Sequence, residues 1–272
     1  MPSEQQRRRR AGSDPWPSAG TTARQVTATR QVSFNEHLIE QYAHLQATTK
    51  SAAARQATIT RLQRLISPHL PNQRQAALDL GAGQGELVEA LQCSGFAAVN
   101  GVELSPSQLE QALRHGCRSL HHGDGEQMLQ SLEPASLDLV SCFDVLEHLS
   151  LEQCARWFDQ ISRVLRPGGR LIAQVPNGLS PFHGQVYWGD LTHRWCPVPE
   201  NLQTLCRSSG LHWLGAYDNI GASASIKGRL RRLSWWAVRS VLATASTLET
   251  GCNAFAQPWS RSFVFVAQRP GE

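Results

Sequence analysis

Two sets of residues in this chain have types and spacings that could do chemistry. The first is acidic and glycine-rich: Asp79, then Gly81, Gly83 and Gly85 in a G-x-G-x-G spacing, then Glu103 and Asp124. Alternating glycines after an apolar run let the main chain approach a ligand where any Cβ would intrude. They also turn backbone N–H groups and a helix N-terminus toward a nucleotide-like molecule. The second set mixes imidazoles, carboxylates and aromatic rings. It comprises Glu147-His148 and the stretch 176–199, with Phe182, His183, Tyr187, Trp188, Asp190, His193, Arg194 and Trp195. A neutral imidazole can take a proton near neutral pH, aromatic faces can stack on a substrate, and Asp190 can either bind substrate or pair with His193 to order its own loop.

The elements that must position these groups follow from pattern. Residues 76–80 read as a short buried strand running into the glycines, and Leu87, Val88 and Leu91 start a helix behind them. A second short strand, 97–102, ends at Glu103, about 20 residues past the glycines, the length of one helix and one strand. A carboxylate there can accept from two ribose hydroxyls. Ser105-Pro106 reads as an N-cap with proline at the first helical position, opening a helix over 107–115. A third strand lies around 119–122, before Gly123-Asp124-Gly125, and a fourth over 136–143, apolar enough to be covered on both faces. An amphipathic helix over 151–165 stops at Arg166-Pro167-Gly168-Gly169, a turn before a fifth strand over 170–175. The stretch 176–199 is too rich in glycine, proline and aromatics for regular structure, and long irregular loops beyond strand ends are commonly functional. A helix over 200–208, a sixth strand over 211–217, an insertion over 219–260 and a last strand over 262–268 complete the chain.

With these stations in place the sequence resembles the class I S-adenosylmethionine (SAM)-dependent methyltransferases. The resemblance rests on the strand-end Asp79 with G-x-G-x-G, which differs from the dinucleotide spacing G-x-G-x-x-G, on Glu103, on Asp124-Gly125, on Glu147-His148-Leu149 and on Leu165-Arg166-Pro167-Gly168-Gly169. It covers about 76–268. It implies an α/β fold, a doubly wound Rossmann-like seven-stranded sheet, mostly parallel with the last strand antiparallel and helices on both faces. It implies SAM as cofactor and S-adenosylhomocysteine as product, held by Asp79, Gly81, Ala82, Gly83, Gly85, Glu103, Leu104, Asp124, Gly125, Phe143 and Asp144. In that family the acid after the third strand accepts from the adenine amino group, and Gly125 would let the backbone reach the ring. The E-H-L segment is similar to that of methyltransferases acting on ubiquinone precursors. Gly189-Asp190-Leu191-Thr192-His193 resembles methyltransferases of bacterial polysaccharide and lipid-linked glycan pathways. The acceptor expected on that basis is a small molecule or glycan, reached through a hydroxyl oxygen. His193 is the expected base, with His148 and then His183 behind it, and Tyr187, Trp188, Asp190, Arg194 and Trp195 form the substrate wall. Structural roles for His148 and Glu147 as caps stay open.

Composition bounds the rest. The 272 residues suit one large α/β domain: a basic tail over 1–31, a helical lid over 32–72 and a methyltransferase domain over 73–272, with its acceptor loop at 176–199. In the lid Leu38, Ile39, Tyr42 and Leu45, then Ile59, Leu62, Leu65 and Ile66, recur at helical spacing. The net charge of +4 is concentrated at Arg7–Arg10 and Arg229–Arg232, which is weak ground for a nucleic-acid partner. Seven scattered cysteines without a C-x-x-C pair give no metal or redox motif and suit reduced thiols in a cytoplasmic setting. No signal sequence or membrane span is expected. In the insertion, Leu230, Leu233, Ala237, Val241, Ala245 and Leu248 share one helical face, and Arg231, Trp235 and Arg239 another. Such a helix can lie on the anionic inner membrane surface over 229–248, pack on the body, or join two copies as a homodimer. An RNA methyltransferase and a catalytically silent SAM-binding module are the competing functions.

Overall fold

The computed structural model describes Gln41, residues 51–220 and residues 226–271. The tail at 1–31, the first half of the expected lid with Leu38, Ile39, Tyr42 and Leu45, and residues 221–225 lie outside the described residues. From Ala52 on, helices and strands alternate: α1 Ala52–Ile66, β1 Ala76–Leu80, α2 Glu86–Cys93, β2 Ala98–Glu103, α3 Pro106–Arg114, β3 Leu120–His122, α4 Gly125–Ser131, β4 Leu137–Phe143, α5 Leu151–Val164, β5 Leu165–Pro176, α6 Gly184–Tyr187, α7 Pro199–Ser208, β6 His212–Asp218, α8 Ile226–Thr250 and β7 Ser262–Gln268.

The strands form one seven-stranded sheet in the order β3-β2-β1-β4-β5-β7-β6. All neighbours are parallel except β7, which runs antiparallel to β5 and β6. The strand order reverses between β1 and β4. Ligands in open α/β sheets bind beyond the C-terminal strand ends at such a switch point. Here that places the glycine loop after β1 and residues 144–149 after β4 side by side.

Burial explains why the sheet is so apolar. Along β7, Phe263, Phe265 and Ala267 join one core with Phe158, Ile161 and Leu202, while Val264 and Val266 join the other with Ile59, Leu62, Val88 and Leu91. Both faces are covered, so the strand reads as a continuous apolar run. Helix starts follow their caps: Ser105 caps α3 ahead of Pro106, and Ser150 with Gln153 forms a capping box at α5.

Three expectations change. The second half of the lid, α1, packs on α2 as part of the body, with Arg55 2.7 Å from Glu89 and 3.6 Å from Glu86. Pro167-Gly168-Gly169 does not separate a helix from a strand. Leu137 and Leu139 of β4 face Leu165 and Arg170 of β5, so the turn residues bulge out within one strand, with Gly168 left-handed at φ +81°. The insertion is dominated by a 25-residue helix, α8, that meets the body through a face carrying arginine and tryptophan. The Arg239 guanidinium donates to Asp218 at 3.0 Å and to the Phe255 and Gln257 carbonyls, and Trp235 and Leu242 pack against Ala243, Ala254 and Trp259.

Candidate active site

The side expected to hold the cofactor is built from the loop after β1 and the end of β2. Gly81 and Gly83 both adopt left-handed φ, +70° and +53°. A Cβ at Gly81 would collide with Val145, whereas one at Gly83 would enter open space. Gly81 is thus required by packing against the segment after β4, and Gly83 borders the cleft. The loop amides are committed internally: Gly81 and Ala82 donate to the Val102 carbonyl, Gly85 donates to Ala82, and Gly83 donates to Glu103 Oε2 at 2.7 Å. The amides at 81, 82, 83 and 85 are thus already paired within the loop and its neighbours. Glu103 Oε1 accepts from Ser105 N–H at 2.7 Å, so its carboxylate is fixed at the rim beside the Gly83 opening. Ribose hydroxyls would compete there for a pre-oriented acceptor.

Asp79 is buried inside the sheet. Burial pushes its carboxyl up to about 7, Glu103 adds to that, and the Ser141 hydroxyl, donating at 2.6 Å, opposes it. Asp124 caps α4 by accepting from Gln127 N–H at 3.0 Å. At Gly125 the space a Cβ would need is filled by the Trp157 ring, 2.6 Å away, so helix packing alone requires a glycine there. Leu104 is half-exposed at the same rim, and Phe143 and Asp144 leave β4 toward the cleft, Asp144 in a left-handed conformation (φ +55°) with Oδ2 accepting from Gln174 at 2.7 Å.

Opposite stands a cluster drawn from two distant segments. The short turn Leu146–His148 brings Glu147 and His148 against Asp190, Thr192 and His193 of the acceptor loop. His193 Nδ1 lies 2.9 Å from the Tyr187 carbonyl. A carbonyl only accepts, so neutral His193 carries its proton on Nδ1 and its lone pair on Nε2. That nitrogen is 3.9 Å from Glu147 Oε1 and 3.8 Å from Asp190 Oδ2. Thr192 donates to Asp190 Oδ1 at 2.5 Å and accepts from His148 Nδ1 at 2.7 Å, which sets the same tautomer in His148. The two rings meet edge-on at 4.7 Å. Burial, with His193 beside it, lowers His148 to about 4, so His148 is neutral but weakly basic. Burial also pushes Glu147 well above the usual carboxylate range, reinforced by Asp144 and Asp190, and its Oε2 has no hydrogen-bond partner among the described residues. Glu147, His148 and His193 offer ligand atoms within 4.8 Å of one another and could together hold a divalent cation. Nothing in their spacing along the chain signalled that group.

The aromatic residues divide. Trp188 is 75% exposed and edge-on to Tyr187, whose ring lies 5.4 Å from His193. Trp195 instead anchors the loop: its indole N–H donates to the Leu146 carbonyl at 3.0 Å and its ring packs on the core. Arg194 is exposed, and its backbone N–H donates to the Glu147 carbonyl. His183 bonds the Ser180 carbonyl at 2.6 Å and borders a separate groove of about 770 Å³ between residues 178–183 and the C-terminal half of α8. Of the three histidines, only His148 and His193 share the cluster.

Residues 78–173 match a family model described as a methyltransferase domain. A ubiquinone biosynthesis O-methyltransferase of Xylella fastidiosa is 31% identical over 162 residues, covering 54% of this chain and 65% of that protein. The mitochondrial ubiquinone biosynthesis O-methyltransferase of Schizosaccharomyces pombe is 34% identical over 100 residues, 35% of each chain. The match therefore spans less than two thirds of these relatives. Among solved structures, a SAM-dependent methyltransferase of Archaeoglobus fulgidus superposes with a TM-score of 0.57 at 19% identity, over 79% of this chain and 94% of that one. A Haemonchus contortus phosphoethanolamine N-methyltransferase in complex with SAM does so at 0.51 and 19% identity, over 89% and 58%. The fold and motifs define a Rossmann-like methyltransferase domain. Over residues 78–173 the chain is similar to SAM-dependent methyltransferases, and it shares their fold.

Proposed function

We propose that this protein transfers the methyl group of SAM to a hydroxyl oxygen of a small molecule, with His193 as general base. The observation that carries the reading is the orientation of His193, with Nδ1–H tied to the Tyr187 carbonyl and the Nε2 lone pair held between Glu147 and Asp190. Bound SAM supplies an electrophilic methyl whose thioether leaving group needs no activation, so the protein's work is positioning, which can contribute about 7–11 kcal/mol. On this reading Asp79, the 81–85 loop, Glu103, Leu104, Asp124, Phe143 and Asp144 hold the cofactor beyond β1, β2 and β4. The hydroxyl proton passes to His193 Nε2 as oxygen attacks. The imidazolium so formed is stabilised by the Asp190 carboxylate, 3.8 Å away, a term worth more in a dry site. Tyr187 and Trp188 offer the acceptor ring faces, and Asp190 and Arg194 offer polar contacts.

The activity named for the relatives, O-methylation in ubiquinone biosynthesis, supports an oxygen acceptor. The exposed aromatic loop supports a sugar or lipid-linked glycan, which would be met at a membrane surface through α8; a homodimer through the same helix is the competing use. Assays of the purified protein with SAM against lipid-linked sugars and ubiquinone-pathway intermediates test the reading. It expects methyl transfer to at least one hydroxyl class, abolished in His193→Ala. Transfer that persists undiminished in that variant would overturn the base assignment.

The unpartnered Glu147 Oε2 favours a second reading of the same cluster. A divalent cation on Glu147, His148 and His193 would acidify the acceptor hydroxyl directly. Turnover lost on chelation and restored by added magnesium, manganese or zinc supports it; turnover indifferent to chelator leaves His193 as the base.

A further inference from the structure

We propose that the outward face of α8 seats the protein on an anionic membrane surface. At about 100° per residue, Ile226, Leu230, Leu233, Ala237, Val241 and Leu248 fall within an arc of about 80°. Thr244 is the one polar residue in that arc, and its short hydroxyl leaves the row apolar. The side chains that meet the body, Trp235, Arg239 and Leu242, lie on the far side of the helix. The structure turns Trp235 and Arg239 inward and leaves the aliphatic stripe uncovered. Ile226, Leu230, Leu233, Val241 and Leu248 are 63–84% exposed, and Trp236 beside them is 66% exposed. A row of large apolar residues this continuous on an exposed helix marks an interaction surface.

Charge chooses the occupant. Lys227, Arg229, Arg231 and Arg232 crowd the first two turns, all exposed, and α8 carries no acidic residue before Glu249. Lys227 and Arg229 flank the stripe on opposite sides, where long basic side chains can extend to headgroup phosphates while the aliphatic row enters the acyl boundary. A second copy docked through the same face would bring two such basic turns together, or set each against a single Glu249. Either arrangement leaves most of the positive charge unmatched, whereas anionic lipid beneath the stripe matches the flanking Lys227 and Arg229. No helix among the described residues is long and apolar enough to cross a membrane, so the contact is one of lying on the surface. The Trp235 ring also lies 6.1 Å from that of Phe182 in the acceptor loop, which puts the seat next to the proposed acceptor entrance. The inference itself stands on α8 and does not depend on the acceptor.

The test is co-sedimentation of the full chain with vesicles of phosphatidylcholine alone and of equal parts phosphatidylcholine and phosphatidylglycerol. A Leu230→Ser/Leu233→Ser/Val241→Ser variant and a Lys227→Glu/Arg229→Glu variant are run beside it, with SAM calorimetry as the fold control. The expected result is binding to the anionic vesicles only, weakened at least about tenfold in both variants, with SAM affinity unchanged. Vesicle binding that survives in the apolar variant would overturn the proposal and move the contact elsewhere, such as the arginine run at 7–10. A chain that ignores vesicles and is dimeric until the apolar variant makes it monomeric would overturn it too, and would show that the stripe joins two copies. SAM binding is read independently, so failure here is distinct from failure of the methyltransferase reading.

Discussion

The proposed cofactor wall and the proposed acceptor wall of this cleft are built in opposite ways. The first is local: a strand end, five loop residues and a carboxylate one βαβ unit later, locked by Gly83–Glu103 and Ser105–Glu103 contacts of 2.7 Å. The second is assembled at long range. His148 and His193 come from segments 45 positions apart in the chain, joined through Thr192 and the Trp195 anchor at Leu146. Local construction leaves a recognisable spacing, and long-range construction leaves only residue types. Because each wall is locked by its own set of contacts, cofactor binding and proton transfer should be separable here.

Substitutions can probe that separation from both sides. The largest effect is expected from His193→Ala, which should lower kcat by about 100- to 10,000-fold, the usual span of general-base catalysis, while calorimetric SAM affinity stays put. Next, Glu103→Ala should weaken SAM binding by about 10- to 100-fold, since hydrogen bonds to a charged group contribute about 1.5–3 kcal/mol. Its effect on turnover at saturating SAM should be small. Asp79→Asn probes the buried side of the same wall through stability. The folded carboxyl titrates near 7, against 3.8 for an ordinary aspartate. The folded state therefore binds the extra proton between those values, and this group's contribution to stability falls as pH rises from 4 to 7. The melting temperature of the variant, relative to wild type, should rise across that window and level off above it, as scanning fluorimetry would show. The smallest effect is expected from His148→Gln. His148 titrates at about 4, so the pH–rate profile between about 5 and 8 should keep its shape. A moved acid limb would transfer the role of base from His193 to His148.

Legibility followed the same division. The seven strands, Ser105 as a cap and the strand-end position of Glu103 were readable because each rests on a local signal: apolar runs, glycine spacing, Ser-Pro; the sheet topology followed from the family resemblance. The reason for Gly125 was not, because the Trp157 ring that fills its space lies on α5, and no spacing within the chain announces it. Trp195 looked like Trp188 in sequence, yet one hydrogen bond to Leu146 makes it an anchor and leaves Trp188 outside. The Glu147–His148–His193 group was invisible because the turn that joins its members is tertiary. The amphipathic period of α8 was plain, but its rotation was not: it is set by tertiary contacts, Arg239 with Asp218 and Trp235 and Leu242 with Ala254 and Trp259.

The separation of the two walls is tested most directly by titrating SAM calorimetrically into wild type, Glu103→Ala and His193→Ala side by side. Wild type and His193→Ala are expected to bind alike, within about twofold, and Glu103→Ala at least about tenfold more weakly. Equal affinity in Glu103→Ala, or a loss in His193→Ala as large as the one at Glu103, would contradict the separation.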